Sequence, residues 1–122
     1  MKATRSEHVE AVHLMRVVKL HEARFPELRL LHAIPNGGAR NKIVAAKMKA
    51  EGVKAGVPDY CLPVPRGGFH GLYVELKRVK GGRVETDQRE WLEALETQGY
   101  RTAVAKGWEQ AWGVVREYLE AA

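Results

Sequence analysis

The stretch V57-P-D-Y-C-L-P-V-P-R-G-G-F-H-G-L-Y-V-E-L-K77 limits this chain more than any other. Two apolar runs of strand length flank a turn rich in Gly and Pro, the pattern of a β-hairpin. Side chains alternate across a strand, so Leu72, Val74 and Leu76 share one face while Tyr73, Glu75 and Lys77 share the other. A sheet that builds its core on the first face must hold a glutamate and a lysine together on the second, about 6 to 7 Å apart along the strand. Asp59, at the head of the neighbouring strand and after a proline that limits its backbone, addresses the same volume. An Asp, a Glu and a Lys on paired strands make a metal site with a charge handler beside it.

The rest of the chain supplies the frame. Apolar residues from Ser6 to about Phe25 follow a helical period, with Ala11, Leu14, Val17, Val18 and Phe25 on one stripe that also carries Glu7 and Glu10. Pro26 closes that segment, and Leu28 to Ile34 reads as a first strand. After the P35-N-G-G38 turn signal, a short amphipathic helix ends near Gly52, with Val44, Ala45 and Met48 expected inward. Strands are expected at Asp59 to Val64, Leu72 to about Arg78 and Tyr100 to Ala105. Helices are expected at Thr86 to Gln98, with Thr86 as N-cap, and at Trp108 to Glu120, with Trp108, Ala111, Trp112, Val115 and Leu119 on one stripe. The order is α-β-α-β-β-α-β-α, an α/β fold with a mixed four-stranded sheet flanked by helices.

At 122 residues the chain has room for one core, so residues 1–122 are read as a single domain. No apolar run approaches the roughly 20 residues that span a bilayer, which excludes a membrane helix. The N-terminus lacks the apolar stretch of a secretory signal, and the one cysteine, Cys61, excludes an internal disulfide framework; a cytoplasmic location is expected. The net charge of +5 is concentrated. Residues 40–54 carry Arg40, Lys42, Lys47, Lys49 and Lys54 against Glu51 alone, a basic patch suited to a polyanion such as DNA.

The chemistry explains the residue types. Hydrolysing a phosphodiester requires an in-line water, neutralised charge on the phosphoryl oxygens, and relief of charge on the departing oxygen. Carboxylate oxygens hold Mg²⁺ or Mn²⁺, which acts as the Lewis acid and lowers the pKa of bound water; a lysine orients water or stabilises the transition state. Gln88 lies one helical turn before Trp91 and Leu92, which puts its amide on the inward face near the helix start. Carboxylates on a buried stripe, such as Glu7 and Glu10, are costly unless paired or metal-bound.

Taken together, S6-E-H-V-E10, I34-P-N-G-G38, A50-E-G-V-K-A-G-V-P-D59, G71-L-Y-V-E-L-K77, Q88-R-E-W-L92 and G99-Y-R-T-A-V resemble a virus-type replication-repair nuclease (VRR-NUC) domain, a branch of the PD-(D/E)XK nuclease superfamily. The resemblance spans nearly the whole chain and implies the restriction-endonuclease-like core of that superfamily. By position it implies that Asp59 and Glu75 bind the metal, with the Leu76 carbonyl as a backbone ligand and Lys77 as the catalytic lysine. It makes Gln88 an accessory active-site residue and Glu10 the N-terminal-helix carboxylate that completes the metal site, although Ala11 stands where family members often carry Gln. It further implies a Mg²⁺- or Mn²⁺-dependent endodeoxyribonuclease, homodimeric and active on branched DNA, resembling a Holliday-junction resolvase in DNA repair. Asn36, Arg40, Lys42, Lys47 and Lys49 are expected to contact the DNA backbone. Alternatives are a non-catalytic DNA-binding or assembly module with this fold, or a flap- or sequence-specific nuclease.

Other motifs have duller readings. H8-V-E-A-V-H13 lacks the four-residue His spacing of a zinc protease helix. His21, His32 and His70 are expected to be structural or surface residues, Cys61 a buried inert thiol, and Trp91, Trp108 and Trp112 packing residues rather than base-stacking ones.

Overall fold

The computed structural model describes residues 5–35 and 41–122. Asn36 and Arg40 lie outside them. Helix α1 (Glu7–Leu20) starts where the Ser6 side chain accepts the Val9 N–H. It ends five residues earlier than the periodicity suggests, because the His21 ring caps the Val17 carbonyl at 2.8 Å and a turn follows. Pro26–Leu30 then forms a short 3₁₀ helix, and the expected long strand shrinks to β1 (His32–Ala33). The apolar run LRLL buries Leu28 and Leu31 from a helical turn, a case where periodicity alone does not separate a strand from a helix.

Helix α2 (Lys42–Ala50) is capped by the Asn41 side chain on the Val44 N–H. It buries none of its residues. Val44 is exposed, and Ala45 and Met48 are only half-buried, so the expected inward face is incomplete. Strands β2 (Tyr60–Leu62) and β3 (Leu72–Lys77) are antiparallel, β1 joins β2 antiparallel, and β4 (Arg101–Lys106) lies parallel to β3. The sheet order β1-β2-β3-β4 is mixed, as the element order requires. Helix α3 (Thr86–Thr97) is the β3–β4 crossover, and α4 (Trp108–Glu120) closes the chain. The N-cap of α3 is Glu85 rather than Thr86, in a reciprocal capping box with Gln88.

The core occupies one side of the sheet. Leu14 and Val18 of α1 and Ala111, Trp112, Val115 and Leu119 of α4 cover Leu62, Leu72, Val74 and Leu76. Ala11, Val17, Phe25 and Trp108 pack at its margin, so Trp108 and Trp112 serve packing. Among the described residues no helix is long and apolar enough to cross a membrane. The register pairs Tyr60 with Val74 and Cys61 with Tyr73, which sets Asp59 opposite Glu75 on the side away from this core. Burial pushes the Cys61 thiol above its ordinary pKa, which keeps it a poor nucleophile.

Candidate active site

The polar face of β3 is built from a strand with both sides covered. Glu75 is 1% exposed and Lys77 6%, values ordinarily reserved for apolar residues. Lys77 is held by a neighbour from another element. The Lys77 ammonium donates to Gln88 Oε1 at 2.9 Å, and the same oxygen accepts the Glu85 N–H at 2.9 Å. The capping box therefore fixes the Gln88 rotamer, and Gln88 in turn fixes the lysine.

Asp59 stands just beyond the end of β2, where the two strands part. Its Oδ2 accepts the Leu76 N–H at 2.7 Å, taking the role that a backbone carbonyl would play if the ladder continued. Alternation along β3 turns the Leu76 carbonyl to this same edge, since Lys77 O faces β4 and accepts the Gly107 N–H at 2.8 Å. Gly56, on the way into β2, lies against the first turn of α3. A Cβ at this position would stand 2.9 Å from the Asp87 carbonyl group, and the backbone there has φ +88°.

Glu75 Oε2 is buried with no hydrogen-bond partner among the described residues. Burial, first of all, pushes the Glu75 carboxyl up to about 9; a hydrogen bond and the negative charge of Asp59 add to the rise, Glu7 adds a little, and Lys77 opposes it. Two carboxyl groups close enough to share a proton, one with an orphan oxygen, make a strong site for a cation. The donor set suits Mg²⁺ or Mn²⁺, which bind hard oxygens and take one or two carboxylates with water and phosphate completing the shell. Among the described residues no group of three or more His, Cys, Asp or Glu side chains stands close enough together to hold a metal ion, so a cation here would rest on the Asp59 and Glu75 pair.

A cavity of about 220 Å³ opens at this edge, lined by Glu7, His8, Ala11, Ala33, Ile34, Asp59, Tyr60 and Leu76. Glu7, not Glu10, is the helix carboxylate that faces it. Glu10 lies on the line of Leu14 and Val18, fully buried and turned toward α4. Its Oε1 accepts the Trp108 N–H at 3.0 Å, and its Oε2 pairs with Arg5 Nε at 3.1 Å. Gly107, the residue before α4, has no side chain to cap that helix, so Glu10 supplies the cap from α1. Three residues apart on a helix means a rotation of about 60° around the axis, enough to send one carboxylate to α4 and the other to the sheet edge.

The structure thus brings Asp59, Glu75, Leu76, Lys77 and Gln88 together and leaves Glu10 outside the group. Spacing alone does not single out Glu7, His8 or Glu85. The signal for Glu85 was present in E85-T-D-Q88, an acidic N-cap with Gln at the third helical position. Lys42, Lys47 and Lys49 are exposed on α2.

Comparison with known proteins agrees with this architecture. The family model described as the VRR-NUC domain matches residues 3–109. A solved structure described as a VRR_NUC domain protein is similar at 30% sequence identity and a TM-score of 0.76, covering 97% of this chain and 91% of that one. No match is found among curated proteins. A hairpin that carries Asp59, Glu75 and Lys77 to one face, a crossover helix that brings Gln88 to them, and a match over most of the length lead to one assignment: the chain belongs to the VRR-NUC family and is a nuclease-fold domain.

Proposed function

We propose that the domain is a divalent-metal-dependent endodeoxyribonuclease that hydrolyses phosphodiesters in branched DNA, acting as a homodimer in the manner of a Holliday-junction resolvase. The observation that carries this reading is the buried, unpartnered Glu75 Oε2 beside Asp59, with the Lys77 ammonium held on the same face by Gln88. Asp59, Glu75 and the Leu76 carbonyl would hold Mg²⁺ or Mn²⁺, and Glu7, rather than Glu10, would be the helix carboxylate that completes the site. When bound there, the cation supplies Lewis acidity to the phosphoryl oxygens and offsets charge on the departing oxygen.

The protein's own groups do the positioning. Asp59 spends one oxygen on the Leu76 N–H, which pins the end of β3 and leaves its second oxygen for the cation. Lys77 uses one of its three N–H donors on Gln88 and keeps two for a phosphoryl oxygen or for the attacking water. The low-dielectric wall behind Glu75 strengthens each of these interactions. On α2, Lys42, Lys47 and Lys49 contact the DNA backbone and Arg40 and Asn36 extend that contact, so affinity falls with added salt.

The direct test is a Mg²⁺ and Mn²⁺ titration of cleavage on a four-way junction, a flap and plain duplex. Metal-dependent cuts in the junction are expected; a chain that binds all three substrates and cuts none is a binding module instead. The two helix carboxylates separate in the same assay. Glu7→Ala is expected to raise the metal concentration for half-maximal cleavage about 10- to 100-fold with the melting curve unchanged. Glu10→Ala is expected to leave that concentration unchanged and to cost about 2 to 3 kcal/mol of stability, because the first N–H of α4 loses its partner. The opposite pattern restores Glu10 as the ligand.

A further inference from the structure

We infer that the turn between β3 and α3, R78-V-K-G-G-R83-V84, is a second DNA-phosphate-binding element that grips the substrate strand on the Lys77 side of the scissile bond; the inference rests on the nuclease reading above. Residues 78–84 hold three cations, Arg78, Lys80 and Arg83, and no acidic residue. All three are exposed. Exposed turns that serve solubility mix both signs, as α3 does with Asp87, Arg89, Glu90 and Glu93. A single-sign turn beginning one residue after Lys77 is a local field for an anion.

The turn is also rigidly attached to the polar face. A Cβ on Gly82 would stand 3.1 Å from Lys77 Cβ, so the turn packs directly on the lysine's stem. Gly81 has φ +76°, and the Arg78 guanidinium folds over it at 3.2 Å from where a Cβ would be. On the other side Val79 lies against Gly107, where a Cβ would meet its methyl group at 2.9 Å. Pinned at Lys77 and at the start of α4, the turn presents its cations with little backbone freedom to lose on binding. Arg83 pairs with Glu85 at 3.4 Å, but both side chains are largely exposed, so a phosphate competes readily for the guanidinium. Gly56 brings the connector that follows α2 against Asp87 in the first turn of α3, the helix into which this turn leads.

The experiment measures binding without cleavage, in the Asp59→Ala background, by titrating a fluorescent four-way junction between 50 and 200 mM salt, roughly the range over which counterion release dominates. The Arg78→Gln, Lys80→Gln, Arg83→Gln triple variant is expected to reduce the slope of log affinity against log salt by about 2 to 3, near 0.9 per lost phosphate contact. Lys80→Gln alone, a change at one exposed side chain, is expected to reduce it by about 0.9. Arg116→Gln, an exposed cation on α4, is the control and leaves the slope unchanged. A triple variant with the parent slope, or a loss matched by Arg116→Gln, overturns the assignment. Cleavage of the junction by the unmodified chain together with a parent slope in the triple variant rejects this turn alone. The expected slope loss without any cleavage by the unmodified chain rejects the nuclease reading and keeps the turn.

Discussion

Lys77→Met is expected to lower metal-dependent DNA cleavage by about 10³-fold or more while the protein stays folded, since preorganised charge at the reacting phosphate is commonly the largest catalytic term. Met keeps the unbranched stem that packs in the buried position and removes only the ammonium. Gln88 Oε1 retains the Glu85 N–H in that variant, so no polar atom of the capping box is stranded. Lys77→Arg is expected to rescue little, because a planar guanidinium does not reproduce a compact ammonium in a site closed by Gln88. Asp59 needs a finer pair. Asp59→Ala removes an acceptor from the Leu76 N–H as well as a proposed cation ligand, whereas Asp59→Asn can keep the first and loses the second. Both are expected to be inactive in single-turnover cleavage, with only the Ala variant losing about 1 to 2 kcal/mol in a denaturant melt. Full activity in Lys77→Met sinks the assignment of roles on this face.

Glu75→Gln is the second large effect, and it runs in opposite directions for stability and activity. In the metal-free protein the Glu75 carboxyl is pushed from 4.5 to about 9, chiefly by burial. Below the lower value folded and unfolded chains both hold the proton. Between the two values the unfolded chain releases it and the folded chain keeps it, so stability falls as pH rises; above about 9 the loss is complete. A Gln at this position has no proton to lose. The variant is therefore expected to be more stable than the parent at pH 8 with chelator present, by on the order of 1 to 4 kcal/mol, and to lack the downward slope. It is also expected to lose cleavage by orders of magnitude. Adding Mg²⁺ or Mn²⁺ should raise the melting temperature of the parent and not of the variant, by mass action on the folded state. A slope that survives in Glu75→Gln assigns the titration to another group.

Much of this was legible in order but not in extent. The alternation of L72-Y-V-E-L-K77 separates core from polar face without any tertiary information, because period two leaves each side chain one choice of face. In α4 the expected stripe holds at Ala111, Trp112, Val115 and Leu119, while Tyr118 joins the buried face and Trp108 sits at its margin. Leu28 to Ile34 did not read correctly, since a short apolar run is compatible with a buried 3₁₀ turn and only the neighbouring elements decide. Thr86 looked like the natural cap of α3, yet Glu85 holds it through reciprocal bonds with Gln88. Glu10 depends on a partner distant in the chain. Its cost on an apolar stripe is plain from sequence, but what satisfies it is Trp108 N–H, 98 residues away in the chain. The resemblance carried Glu10 toward the metal; tertiary packing gives its oxygens other partners.

The Asp59 carboxylate on the Leu76 N–H makes the polar site a fork in the sheet, formed where β2 stops pairing and a side chain takes over the next rung. Such a fork is phase-locked to the strand. Inserting or deleting one residue between Asp59 and Leu62 would carry the aspartate through the sheet to the side of Val74 and Leu76, among the core leucines, with every side chain still present in the chain. A change of length that keeps the site is therefore one made in the connections. The three-residue strand β2 cannot change its length without moving Asp59 off the polar face.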